Sequence, residues 1–257
     1  MIHKLARKIA SLRVTDSRRF LSADGVASSF DLLMDAALNA VDPGLSSKSQ
    51  LKQDVVALVV NAFKRDGFFV EFGAANGVHL SNTYLLEKKF GWNGILAEPA
   101  KIWHPEILAS RNARLDKRCV WKSSDCTLEF IEAPDAELST VTRFMALDMH
   151  REQRALGKTY RVESVSLNDL LSDHSAPAII DYLSMDTEGS ELEILKGFDF
   201  NKHRFNFITC EHNFSRTRSE LVSLLSDNGY VRVLNEFSRW DDWFVPEESD
   251  FFNRLPV

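Results

Sequence analysis

The sequence predicts an α/β fold: a doubly wound, mostly parallel sheet with helices on both faces and an antiparallel β-hairpin at its C-terminal end. Three observations predict it. From about residue 50 onward, short continuous apolar runs alternate with stretches of helical periodicity, the pattern of parallel strands buried on both faces between crossover helices. The first of these runs, Phe68-Phe69-Val70-Glu71-Phe72-Gly73-Ala74-Ala75-Asn76-Gly77, ends in an acid and a glycine-spaced loop. The last two runs, at 230–234 and 243–245, are joined by a short polar loop with no helix between them.

The elements follow in order. Residues 1–48 read as a separate N-terminal helical extension, because Phe30, Leu33, Met34, Ala37 and Leu38 recur at helical spacing before Asp42-Pro43-Gly44 stops the helix. Its apolar stripe is a candidate surface for a homo-oligomer. Residues 49–257 read as one domain. A helix over 51–63 precedes a first strand at 68–71, and a helix over 78–90 follows, with Gly91 as its C-terminal cap. A second strand at 95–97, a helix around 105–111, a third strand at 118–121 and an extended piece at 128–131 come next. From Ala133 to Thr159 the core pattern breaks, and the segment reads as a lid or acceptor-binding loop carrying His150, Arg151 and Arg154, against a plain surface excursion. Ser166-Leu167-Asn168-Asp169 has the form of a capping box opening a short helix. A fourth strand at 179–185, a helix at 189–195, a fifth strand at 207–210 and a helix at 218–228 complete the series before the hairpin.

Composition narrows the function. A chain of 257 residues with 44% apolar content can bury a full α/β core. A formal net charge of −6 argues against a general nucleic-acid binder. No apolar run is long enough to span a membrane, and the N-terminus lacks the apolar core of a secretory signal. Cys119, Cys126 and Cys210 are odd in number and not spaced for metal, so reduced thiols in a cytoplasmic protein are expected.

The chemistry is expected where the strands end, because open α/β sheets bind ligands beyond the carboxyl ends of their strands. Glycines there let backbone approach a ligand, and Glu98, 21 residues after Gly77 at the tip of the second strand, is placed to accept both hydroxyls of a ribose. The spacing Glu71-x-Gly73-x-x-x-Gly77 differs from the dinucleotide fingerprint and points to S-adenosylmethionine rather than NAD. The other strand ends carry Asp186 with Glu188, and Glu211-His212-Asn213. Crowded acids need a cation, a proton or a polar ligand to offset their repulsion. Tyr84-Leu85-Leu86-Glu87-Lys88 matches the Tyr-x-x-x-Lys of short-chain dehydrogenases, but in the first helix it reads as helix surface. Trp240-Asp241-Asp242-Trp243 either walls the substrate pocket or packs the hairpin.

Taken together, Ser49-Gln50-Leu51-Lys52-Gln53-Asp54, the Phe69 to Val78 segment, Ser81-Asn82-Thr83, Gly91-Trp92-Asn93-Gly94, Glu98-Pro99, Asp186-Thr187-Glu188-Gly189-Ser190-Glu191 and Leu195-Lys196-Gly197 resemble the FkbM-type family of S-adenosylmethionine-dependent methyltransferases over roughly residues 46–245. The resemblance implies the methyltransferase variant of a Rossmann-like sheet and methyl transfer to a hydroxyl of a sugar, glycan or secondary metabolite. Glu71, Gly73, Ala74, Asn76, Gly77, Ser81, Glu98, Pro99, Val120 and Asp186 are the candidate donor-binding residues. Asp186, Glu188, Glu211 and His212 are the candidate bases, and a magnesium ion held by Asp186, Glu211 and Asn213 is left open. A nicotinamide-dependent oxidoreductase of nucleotide sugars and a non-catalytic module of the same fold are the alternatives.

Overall fold

The computed structural model describes residues 23–136, 139–144, 152 and 155–253. Helices α1 (Ala23–Asn39) and α2 (Gln53–Val60) lead into β1 (Phe68–Phe72), α3 (Tyr84–Phe90), β2 (Asn93–Ala97), α4 (His104–Ser110) and β3 (Arg114–Asp116). Strands β4 (Cys119–Trp121), β5 (Thr127–Glu132), β6 (Thr140–Val141) and β7 (Lys158–Ser166) then form a separate four-stranded sheet in the order β4-β7-β5-β6. The chain continues through α5 (Leu167–Asp173), β8 (Ile179–Ile180), β9 (Tyr182–Met185), α6 (Glu191–Lys196), β10 (Arg204–Phe205), β11 (Ile208–Glu211), α7 (Arg218–Asp227), β12 (Tyr230–Val233), β13 (Asp241–Pro246) and α8 (Asp250–Asn253).

The main sheet has seven strands in the order β12-β13-β11-β9-β1-β2-β3. Strands β3, β2, β1, β9 and β11 run parallel, and β13 lies antiparallel between β11 and β12. Alternation along the strands sends side chains to opposite faces. Phe69, Leu96, Tyr182, Phe207 and Trp243 join one apolar cluster with α1, α2 and α3. Val70, Ile95, Leu183, Ile208 and Phe244 join the other with α5, α6 and α7. Within the first cluster Phe30 of α1 stacks on Phe237 at 4.5 Å between ring centroids, so the apolar stripe of this helix is used inside the chain's own core.

Four expectations are corrected in detail. The helix expected over 78–90 begins only at Tyr84. Asn76 Oδ1 accepts the Val78 and His79 N–H groups, and the Glu71 carboxylate accepts the Asn82 N–H at 2.7 Å, so side chains satisfy this backbone without a helix. The third strand of the main sheet is Arg114–Asp116, too short and polar to show as an apolar run; Cys119–Trp121 pairs with β7 in the smaller sheet instead. The expected fourth strand is broken at buried Asp181, whose carboxylate accepts from Lys64 Nζ and the Phe68 N–H. Finally, β6 and the first two residues of β7 fall within the 133–159 stretch read as patternless, while His150, Arg151 and Arg154 lie outside the described residues.

Candidate active site

From β1 the chain steps outward to β2 and β3, then returns across β1 to β9 and β11, so the tips of β1 and β9 form the switch point of the sheet. Gly73 sits there at φ +69°, donating its N–H to the Ala97 carbonyl at 3.1 Å. A Cβ on Gly73 would lie 1.8 Å from the Asp186 carbonyl oxygen. Only glycine lets the two strand tips approach this closely.

A cavity of about 350 Å³ opens over these tips. Of the donor-binding candidates, Glu71, Gly73, Ala74, Ser81, Glu98, Pro99, Val120 and Asp186 line it, as do the base candidates Glu188 and Glu211. The smaller sheet supplies the facing wall through Cys119, Val120, Phe130, Thr140 and Val141. Asn76, Gly77 and His212 stand outside the lining. Asn76 ties its own loop, as above. Gly77, at φ +78°, makes room for Arg111, whose Cγ would be 3.1 Å from an added Cβ. His212 is buried behind the cavity, its Nδ1 accepting from the Phe214 N–H and its Nε2 at 4.0 Å from Asp242. Burial holds its pKa below the usual histidine range.

Glu98 is buried at the β2 tip, with one oxygen accepting the Ala75 N–H at 2.9 Å and the other the Ala100 N–H at 2.7 Å. Burial raises its carboxyl to about 8. Each oxygen keeps a second lone pair for a ligand hydroxyl. Glu71 is fully engaged: besides the Asn82 N–H it accepts the Ser81 and Thr83 hydroxyls, and it thereby shapes the cavity wall.

Asp186, Glu188 and Glu211 each bring an oxygen within 4.8 Å of the other two. Asp186 is open to the cavity and enclosed by protein on its other sides; this enclosure, with Asp241 and Glu191 nearby, raises its carboxyl to about 7. Glu211 is raised well above the usual range by burial and by Asp186 and Glu188. The pair therefore retains a proton near neutral pH, as like charges in one site require. Asn213 lines the same cavity and turns an amide N–H toward Glu188 at 3.5 Å. Glu191 holds the loop in place, accepting the Thr187 and Gly189 N–H groups.

Residues that sequence reasoning did not select complete the site. Gln50, Gln53, Trp240 and Asp241 line the cavity, and Asp241 accepts from Gln53 Nε2 at 3.0 Å and Trp243 Nε1 at 3.2 Å. Burial raises the Asp241 carboxyl to about 6. The 240–243 segment does both things its sequence offers, Trp240 and Asp241 walling the cavity and Trp243 packing the core, but nothing local tells which side chains of 50–54 or 240–243 turn toward the strand tips.

The methyltransferase FkbM domain matches residues 71–251, well over half of the chain. The chain belongs to the FkbM methyltransferase family and is a methyltransferase. No curated protein matches it. Among solved structures, the precorrin-6y C5,15-methyltransferase of Geobacter metallireducens GS-15 is similar at 13% identity and a TM-score of 0.40, over 79% of this chain and 93% of that one.

Proposed function

We propose that the chain binds S-adenosylmethionine in the cavity over its Rossmann-like sheet and directs the methyl group to a hydroxyl oxygen of a small-molecule or glycan acceptor. One observation carries the reading. A single cavity has an acid suited to a ribose, Glu98, at the β2 tip, and acids suited to take a proton, Asp186 and Glu211, at the β9 and β11 tips. Two strand spacings separate the β2 tip from the β9 tip and three from the β11 tip, about 10 and 14 Å.

The lining fits this donor. Asn82 Oδ1 and Trp103 Nε1 are buried on the cavity wall without a hydrogen bond among the described residues, an acceptor for an ammonium and a donor for a ring nitrogen. Glu98 would hold the ribose, the Gly73 and Ala74 backbone the methionine portion, and Pro99, Cys119 and Val120 the adenine. When bound, the donor supplies an electrophilic sulfonium methyl. The chain's task is to place the acceptor hydroxyl, exclude water and take up its proton. Asp186, sharing its proton with Glu211, has a basicity matched to that task at neutral pH. With His212 outside the lining, the base is assigned to this pair.

The acceptor's charge follows from the lining. Among the described residues it carries Glu71, Glu98, Asp186, Glu188, Glu211 and Asp241 and no lysine or arginine. A carboxylate or phosphate acceptor would meet no cation among the described lining residues, whereas a neutral polyhydroxyl compound would find acceptors for its hydroxyls and Trp240 for an apolar face. The unpaired Cys119, Cys126 and Cys210 support placing the protein in the cytoplasm.

Thermal shift and calorimetry with S-adenosylhomocysteine test the donor half of this reading. Binding that raises Tm and is largely lost in Glu98→Ala supports it. No binding, or a preference for NAD, would remove it. Methyl transfer from deuterated donor to a panel of neutral, amine-bearing and acidic sugars tests the acceptor half.

A further inference from the structure

Arg111 is one of the most completely used side chains in the molecule, and it does not touch the cavity. Its side chain is fully buried. Nε donates to Glu87 Oε2 at 2.8 Å. Nη1 donates to the Gly77 carbonyl at 2.8 Å and to Ser81 Oγ at 3.2 Å, and Nη2 to Thr83 Oγ1 at 2.8 Å. Nη1 also lies 3.8 Å from Glu71 Oε2. Three of these partners sit on residues 77–83, the loop that takes the place of the expected helix start, and His79, Leu80, Ser81 and Asn82 of that loop form one wall of the cavity.

The loop is not helical; local turns, Asn76 and Ser81 satisfy part of its backbone. Two side chains from outside it then grip it from opposite ends: Glu71 from the β1 tip, accepting, and Arg111 from the connection between α4 and β3, donating. The planar guanidinium reaches three loop positions at once, which a lysine ammonium cannot do in the same geometry. Gly77 admits the arginine stem. Glu87 holds the arginine from behind and fixes the connection by accepting the Asn112 N–H at 2.8 Å.

We infer that Arg111 is a positioning residue for the methyl donor: it sets the loop that presents Ser81 and Asn82 to the donor's methionine end, and it balances the charge of Glu71 beneath that end. This rests on the donor site proposed above, and the test separates the two. S-adenosylhomocysteine is titrated by calorimetry into the wild-type chain, Arg111→Lys, Thr83→Val and Leu225→Ala, each well below its own Tm. Leu225 is buried in the α7 side of the core, far from the loop, and serves as a destabilised control. Arg111→Lys is expected to raise Kd about tenfold or more while the binding stoichiometry per folded chain stays at one. Thr83→Val, which keeps Arg111 but removes the hydroxyl that links it to Glu71, should give a smaller rise, and Leu225→Ala none. If Arg111→Lys does not fold, Thr83→Val decides. Wild-type Kd in the folded Arg111→Lys and Thr83→Val proteins, or an equal rise in Leu225→Ala, would overturn the inference. A wild-type chain that does not bind would instead overturn the donor site itself.

Discussion

Glu98 holds the glycine loop through Ala75 and, in the function proposed above, would hold a ribose as well, so its protonation state would bear on both. Because burial lifts its carboxyl to about 8, half or more of it is neutral at pH 7 in the free protein. Ribose hydroxyls donate best to the ionised form, so affinity for S-adenosylhomocysteine should strengthen as pH rises from 6 toward 8.5. Calorimetry across that range checks this, and Glu98→Ala should bind weakly with a flat profile. Asp186 gives a second pH prediction with two signs. As a base it works deprotonated, so turnover should climb as pH rises through about 7. Its folded pKa is raised above the unfolded value, so the folded state binds the extra proton between about pH 4 and 7, and stability falls as pH rises through that window. Asp186→Asn should cost about 100- to 10,000-fold in turnover while gaining Tm relative to the wild type at pH 8 and little at pH 4. Unchanged turnover in that variant would take Asp186 out of the mechanism. These acids were legible in the sequence because each directly follows an apolar run that could only be a buried strand. Arg111 was not: it follows Glu71 by 40 residues at the end of an expected helix, and only the folded chain brings the two together.

Elements were legible where composition and burial coincide, as in β1, β2, β11 and α7. They were misread where side chains replace backbone hydrogen bonds. The stretch 78–83 has the apolar content of a helix start, yet Asn76 and Glu71 satisfy its N–H groups outside a helix. Strand β7 buries mainly its C-terminal half, so its exposed beginning read as loop. At this scale the sharpest test is Gly73→Val. A side chain there meets the Asp186 carbonyl, forcing β1 and β9 apart at the site itself. It should cost about 3 kcal/mol or more of stability and abolish donor binding in whatever fraction folds, measured by denaturant unfolding and calorimetry.

The whole molecule places its seven-stranded sheet between two apolar layers and sets the smaller sheet over the strand tips as the far wall of the cavity. Helix α1 closes one layer: Phe30, Met34 and Leu38 are buried against the same cluster as Trp243 and Val245. Burying three such side chains is worth about 1.5–3 kcal/mol each, a large share of the roughly 5–15 kcal/mol by which domains are stable. A chain starting at residue 49 should therefore be far less stable than the full chain, which urea unfolding of the two would show.

A methyl donor lying across the strand tips, with its reactive end toward Asp186, would be seen in a crystal structure of the full chain with S-adenosylhomocysteine. Ribose hydroxyls are expected on Glu98, the amino-acid end against Gly73 and Asn82, and the sulfur facing Asp186 and Glu211. A ligand bound elsewhere, or one whose sulfur faces away from those two carboxylates, would contradict this placement.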